Sequence, residues 1–282
     1  MKKINILVCA HKHDEHTRND DVFKAVQAGK AVHPELDLGY LCDNYGDNIS
    51  ELNPFWSELT VLYWGWKNIH DVEYCGLNHY RRYFDAIIDE NNIDGLMKDC
   101  DMLVVKSNSM LSNHERERNL MHMTSIEDYY VFADTFLSMY PEYESAYIEY
   151  FYKSRKSFPF QMFIAKKTMY DDYCQFMFPV LFEVERRIKP HAYTRQKRTM
   201  GYFGEWFLGL YIYCKGIKTK ELPILDYSCI PDKESFKSKM LLSLKKIAHV
   251  INDALYKPPV KLSVPASVRN GLKQDGIVLR YI

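Results

Sequence analysis

Two adjacent arginines follow an apolar run in the segment Tyr74-Cys75-Gly76-Leu77-Asn78-His79-Tyr80-Arg81-Arg82-Tyr83-Phe84. Arginine stays charged at physiological pH and binds phosphate oxygens in bidentate fashion. Arg81 and Arg82, with His79 beside them, suit a polyphosphate; the structural alternative is one solvated arginine and one in a salt bridge. A second candidate is Glu205, a single carboxylate in the apolar, glycine-flanked stretch Gly201-Tyr202-Phe203-Gly204-Glu205-Trp206-Phe207. Burial there would raise its pKa and make it a general base, whereas pairing with Arg195 or Arg198 would make it structural. Asp43 and Asp47, with Asn44, Asn48 and Ser50, form an acidic loop that could hold a divalent ion or sugar hydroxyls. On composition alone that loop reads better as Asx turns capping backbone amides. In Ser57-Glu58-Leu59-Thr60-Val61-Leu62-Tyr63-Trp64-Gly65-Trp66-Lys67-Asn68, packing explains the aromatics better than it explains Glu58 and Lys67. His11-Lys12-His13 is weak as a metal motif.

These groups need strands and helices to hold them. Ile4–Cys9 predicts a buried first strand that ends at Ala10-His11-Lys12. A helix is expected over 22–33, a short strand over 36–41, and a helix from Asn53-Pro54 to about Asn68, capped by Asn53. Strands at 74–78 and 102–106 bracket a helix at 93–98. This alternation gives an α/β fold with a mostly parallel central sheet flanked by helices, and ligands bind beyond the carboxyl ends of such strands. Further on, 125–152 is helical with Pro141 as divider, 160–165 a strand, 167–187 a helix broken near Pro179, 202–214 a helix and 218–222 a strand. No GxGxxG, Walker loop, GxSxG or HExxH occurs. Those absences disfavour classical dehydrogenases, P-loop kinases, α/β-hydrolases and zincins.

Several of these segments resemble a bacterial family of exopolysaccharide and capsule glycosyltransferases, DUF4422. The matching pieces are Ala10-His11-Lys12, Leu41-Cys42-Asp43-Asn44, Gly46-Asp47-Asn48-Ile49-Ser50, Asn53-Pro54, Ser57-Glu58-Leu59-Thr60, Tyr63-Trp64-Gly65-Trp66-Lys67-Asn68 and Gly76-Leu77-Asn78-His79-Tyr80-Arg81-Arg82-Tyr83-Phe84. Gln161-Met162-Phe163-Ile164 and Gly201-Tyr202-Phe203-Gly204-Glu205 extend the likeness, which covers about residues 3–225. The resemblance implies a GT-A-like single domain over 1–232. Residues 1–110 would be the nucleotide-sugar half and 111–232 the acceptor half. Donor contacts would come from Ala10, His11, Lys12, Asp43, Asn44, Asp47, Asn48, Ser50, Glu58, Lys67, Asn78, His79 and Tyr80. Gln161, Met162, Tyr202 and Trp206 would meet the acceptor. Catalysis would rest on Glu205 as base and on Arg81 and Arg82. Other GT-A enzymes hold a metal with an Asp-x-Asp after the corresponding strand, where this chain has Asn78-His79-Tyr80-Arg81-Arg82. No obligatory cofactor is therefore expected, the two guanidinium groups neutralising the diphosphate, with manganese or magnesium as the alternative. The implied reaction moves a sugar from a UDP-sugar, UDP-galactofuranose among the candidates, to a lipid-linked glycan in capsule, exopolysaccharide or O-antigen synthesis. The competing readings are a non-catalytic nucleotide- or glycan-binding component of a polysaccharide assembly complex, and a phosphoryl-transfer enzyme.

Composition sets the remaining bounds. The chain has 282 residues, with 37 basic and 37 acidic side chains, so its net charge is zero and nucleic acid is not an expected partner. That zero is uneven: residues 233–282 carry +7 and residues 1–232 carry −7. In the basic extension, Phe236, Met240, Leu244, Ile247, Ile251 and Ala254 fall at helical spacing among lysines. Such a helix would lie on an anionic membrane or pack back on the acidic body. Seven cysteines without a CxxC pair, and no apolar run of transmembrane length, read as a cytoplasmic protein, peripheral on the inner face of the cytoplasmic membrane if that helix binds there.

Overall fold

The structure is a computed structural model that describes residues 2–110, 115–189, 193–228 and 255–282. Eleven strands are described: β1 Lys2–Ala10, β2 Phe23–Gln27, β3 Leu41–Cys42, β4 Val72–His79, β5 Arg82–Phe84, β6 Met102–Val105, β7 Asn108–Ser109, β8 Lys156–Ser157, β9 Phe163–Lys166, β10 Thr219–Leu222 and β11 Ile224–Asp226. The helices used below are α1 Asn53–Trp56, α2 Leu59–Asn68, α3 Ile93–Met97, α4 Glu115–Met123, α5 Ile126–Met139, α6 Glu144–Ile148, α7 Lys167–Arg187 and α8 Thr199–Lys215.

The main sheet runs β10-β6-β9-β4-β1-β2-β3, with β5 hydrogen-bonded to β4 and β11 to β5. Its spine is the parallel pair β1–β4, in register from Lys2↔Val72 to Cys9↔His79. The sheet is parallel except around β9, which lies antiparallel to both β4 and β6, and at the β5–β11 ribbon. Side chains alternate across a strand, so β1 feeds two cores. Leu7 and Cys9 join the larger core beneath α2, α5, α7 and α8; Ile4, Ile6 and Val8 join the smaller one with α3.

The expected helix over 22–33 is instead strand β2 followed by turns. Phe23-Lys24-Ala25-Val26-Gln27 pairs with β1 and is almost wholly buried, so it lacks the polar alternation that marks a half-exposed strand. Asp20 Oδ1 fixes its start by accepting from the Val22 and Phe23 N–H groups. The expected strand over 36–41 contracts to Leu41–Cys42. The helix from Asn53 is broken at Ser57, whose φ of 54° lies in the left-handed region. Asn53 Nδ2 holds that corner by donating to Ser57 O and Thr60 Oγ1. Pro179, by contrast, does not break α7. Strands β5 and β11, three residues each and paired across the chain, were too short to carry a periodic signal, and the helix Ala266–Gln274 was not anticipated.

The amphipathic segment 236–256 lies outside the described residues up to position 254. The part beyond it packs on the body. Leu262, Val268, Leu272 and Ile282 belong to the larger core. Fully buried Asp134 in α5 accepts hydrogen bonds from the Arg280, Tyr281 and Ile282 N–H groups and from Arg187. Ion pairs Arg280–Glu183 and Lys189–Asp275 add to the attachment. No helix of the described residues is long and apolar enough to cross a membrane. The six described cysteines are free thiols.

Candidate active site

Because β1 and β4 are parallel neighbours, the turns after Ala10 and His79 leave the same edge of the sheet side by side. A cleft of about 600 Å³ opens there. The turns contribute His11, Tyr80, Arg81 and Arg82. The α1–α2 corner contributes Ser57 and Glu58. The opposite wall is Phe160 with Arg198, Tyr202 and Glu205. Residues as distant in sequence as His11 and Glu205 thus face one space, at the edge where open α/β sheets bind ligands.

Each arginine of the pair is oriented by a carboxylate. Arg81 Nε donates to Asp14 Oδ2 at 2.5 Å, and Asp14 Oδ1 also accepts from the His16 backbone N–H. Arg82 Nε donates to Asp226 Oδ2 at 2.9 Å and its Nη2 to Ser228 Oγ at 3.0 Å, with the guanidinium 4.2 Å from the centre of the Phe160 ring. Burial opposes ionisation of Asp14 and Asp226, yet these hydrogen bonds hold both at about 2. Both Nη groups of Arg81 and Nη1 of Arg82 have no hydrogen-bond partner among the described residues. The carboxylates use one edge of each fork and leave donors for an oxyanion.

Two carboxylates share the cleft. Burial raises the pKa of Glu205; its bond from the Phe160 N–H, 3.0 Å to Oε1, opposes the shift, and the charge of Glu58 adds to it. Burial likewise raises Glu58, whose side chain is 11% exposed. Arg198 stands 3.8 Å from Glu58 and donates to Ser57 Oγ at 2.9 Å. His79 and His11 shift downward, chiefly through burial, which favours neutral imidazoles.

The described non-glycine residues with positive φ are Ser57, Phe160 and Gln161, all in or beside this cleft. Such conformations cost about 1–3 kcal/mol each and persist only where surrounding contacts enforce them. Around Phe160 and Gln161 the enforcement is visible. Gln161 is fully buried and donates to Tyr173 OH. Helix α8 comes so close that a Cβ on Gly204 would lie 2.6 Å from a Leu59 methyl group and 3.1 Å from Gln161 Oε1.

Of the expected site residues, the cleft brings together His11, Glu58, His79, Tyr80, Arg81, Arg82, Tyr202 and Glu205. The others stand elsewhere. Asp43 is fully buried and accepts four hydrogen bonds, from the Gly29 and Lys30 N–H groups, Ser50 Oγ and Thr60 Oγ1, so it ties the loop after β2 to α2. Asn48 Oδ1 accepts from the Ser50 N–H in an Asx turn. Asp47 accepts from Tyr63 OH and lies 4.0 Å from Lys67, which rests on the Trp66 ring. Lys12 and Asn44 are exposed outside the lining, while Ala10, Ser50, Met162, Gln161 and Trp206 are buried behind it. Asn78 is fully buried, with neither amide atom hydrogen-bonded to a described residue. Sequence reasoning did not pick out Asp14, Asp226, Ser228, Phe160, Ser57 or His33. Asp226 is 144 positions from Arg82, so only the β5–β11 pairing reveals that contact.

Asp14 and Asp226 are both engaged by guanidinium groups. Among the described residues no three His, Cys, Asp or Glu side chains cluster as metal ligands.

The mostly parallel sheet flanked by helices, reversed at β9 and β5, is the GT-A-like α/β fold expected from the sequence. The chain belongs to the DUF4422 family, described as a domain of unknown function, whose model matches residues 5–216. Among solved structures it is similar to the apo structure of WbbM, a bifunctional glycosyltransferase. The two share 27% identity with a TM-score of 0.71, over 81% of this chain and 46% of that one. The chain thus spans less than half the length of that enzyme. No curated protein matches it.

Proposed function

We propose that the chain is a glycosyltransferase that moves a sugar from a nucleotide-sugar donor, a UDP-sugar, to a hydroxyl of a lipid-linked glycan. The reading rests on one observation above all: Arg81 and Arg82, each oriented by a carboxylate, share a cleft with a half-buried carboxylate, Glu205. The likeness to a glycosyltransferase supports it. In the proposed step the acceptor O–H gives its proton to Glu205 and the oxygen bonds to the anomeric carbon. The bond from that carbon to the diphosphate oxygen breaks, and its electron pair leaves with the nucleoside diphosphate. Arg81 and Arg82 stabilise the charge that develops there. A base acting opposite the leaving group inverts the anomeric centre.

Release of nucleoside diphosphate from a panel of UDP-sugars, with an oligosaccharide acceptor mixture, tests the reading. Turnover of at least one donor is expected, and it should survive EDTA because guanidinium groups take the metal's place. Activity that vanishes in EDTA and returns with manganese would overturn the metal-free form. No turnover of any donor would overturn the transferase reading.

We also propose that the lysines of segment 236–256 bring the enzyme to an anionic membrane, where a lipid-linked acceptor resides. Vesicles containing phosphatidylglycerol should pull the protein down, and replacing Lys237, Lys239, Lys245 and Lys246 by Glu should abolish that. Equal binding by both proteins removes the proposal.

A further inference from the structure

The polar groups of one residue join two walls of the cleft. His79 ends β4, and its Nε2 lies 2.7 Å from Phe160 O. A carbonyl oxygen only accepts, so Nε2 carries the proton and the neutral ring has an unprotonated Nδ1. The same residue donates its N–H to Glu205 Oε1 at 3.0 Å. Phe160 has φ 68° and ψ 5°, a conformation that a non-glycine residue keeps only under constraint. Its ring also lies under the Arg82 guanidinium. Among the described residues, the hydrogen bond that Glu205 accepts comes from Phe160, so the aim of its carboxylate follows the aim of that N–H.

We propose that His79 is a positioning residue for Glu205, acting through the left-handed Phe160 turn. The Nε2–H bond to Phe160 O pins the turn from the β4 side, and the Phe160 N–H then fixes Oε1 of Glu205, leaving Oε2 for the acceptor proton. This role replaces the polyphosphate role expected for His79 and rests on the reading of Glu205 as the base.

The test compares His79→Gln, whose amide nitrogen lies near the Nε2 position, with His79→Asn, whose amide falls short. With the UDP-sugar that wild-type enzyme turns over, H79N should lose at least tenfold in kcat at a donor KM changed less than twofold. H79Q should lose under threefold. In an E205Q background H79N should cost nothing further, since coupled residues are not additive. A raised donor KM at unchanged kcat, or a full further loss in the E205Q background, overturns the proposal. Two measurements need no turnover. The Glu205 carboxyl, followed by 13C NMR in glutamate-labelled protein, should titrate at a displaced midpoint in H79N and at the wild-type midpoint in H79Q. The wild-type His79 ring should show the Nε2–H tautomer by 15N NMR. An unmoved Glu205 titration in H79N, or an Nδ1–H tautomer, overturns the proposal. If no donor is turned over while Glu205 titrates as expected, the transferase reading fails and the positioning role stands.

Discussion

Glu205→Gln is expected to lower kcat for nucleoside diphosphate release by about 10²–10⁴-fold, the range that general-base removal costs. The substitution keeps the shape and keeps an acceptor for the Phe160 N–H, so the turn at Phe160 and Gln161 has no reason to move. What it removes is the proton-accepting capacity in a cleft where burial holds the carboxyl above its ordinary value. That shift also sets the sign of the effect on stability. A carboxyl with a raised folded pKa binds protons more tightly in the folded state. The folded state is therefore penalised as pH climbs from the unfolded value, about 4, through the folded one, and the penalty is complete above it. The glutamine variant carries no such penalty. Its melting temperature should equal or exceed wild type at pH 8, and the difference should shrink as pH falls toward 4. A kcat within threefold of wild type at pH 7–8 would take Glu205 out of the base role and leave Glu58, the second raised carboxylate of the cleft, as the candidate.

What could be read from residue order follows from how local each signal is. The spine β1–β4 was legible because both strands are dense in apolar residues and end in turn-forming polar runs, and the arginines and His79 come with that ending. Glu205 was legible because an acidic residue between glycines and aromatics has no packing role. Asp43 was not: an acidic, asparagine-rich loop looks the same whether it faces a ligand or caps amides, and only its four protein donors place it. Strand β2 misled because a strand buried on both faces loses its period-2 signature and five apolar-rich residues fit a helix equally well. The carboxylates that orient the arginines escaped for another reason. Asp14 and Asp226 meet Arg81 and Arg82 across 67 and 144 positions, and nothing in the sequence near either end encodes that pairing. The same holds for Phe160, whose role comes from its backbone rather than from its side-chain type.

Asp134→Ala is expected to be strongly destabilising. The carboxylate is fully buried in α5, and all its partners are protein groups: the Arg280, Tyr281 and Ile282 N–H groups on Oδ1 and Arg187 Nη2 on Oδ2 at 2.7 Å. Removing it leaves the largely buried Arg187 guanidinium without its counter-ion and three amides without an acceptor. Breaking a buried pair from one side costs about 3–5 kcal/mol, and for a chain of this size that is a drop in melting temperature on the order of 10 °C. Asp134→Asn should recover only part of it, because one amide oxygen can still serve the backbone donors while the amide nitrogen faces Arg187. Limited proteolysis should then cut first near the C-terminal segment, whose attachment to α5 is lost. A melting temperature within 2 °C of wild type would show that the attachment is not part of the cooperative fold. The consequence reaches the membrane question. Leu262, Val268, Leu272 and Ile282 complete the core under α5 and α7, so truncating the basic extension at 236 would remove core along with charge. Reversing the lysines of 236–256 removes charge alone, and vesicle binding measured on that variant reports on electrostatics rather than on a damaged fold.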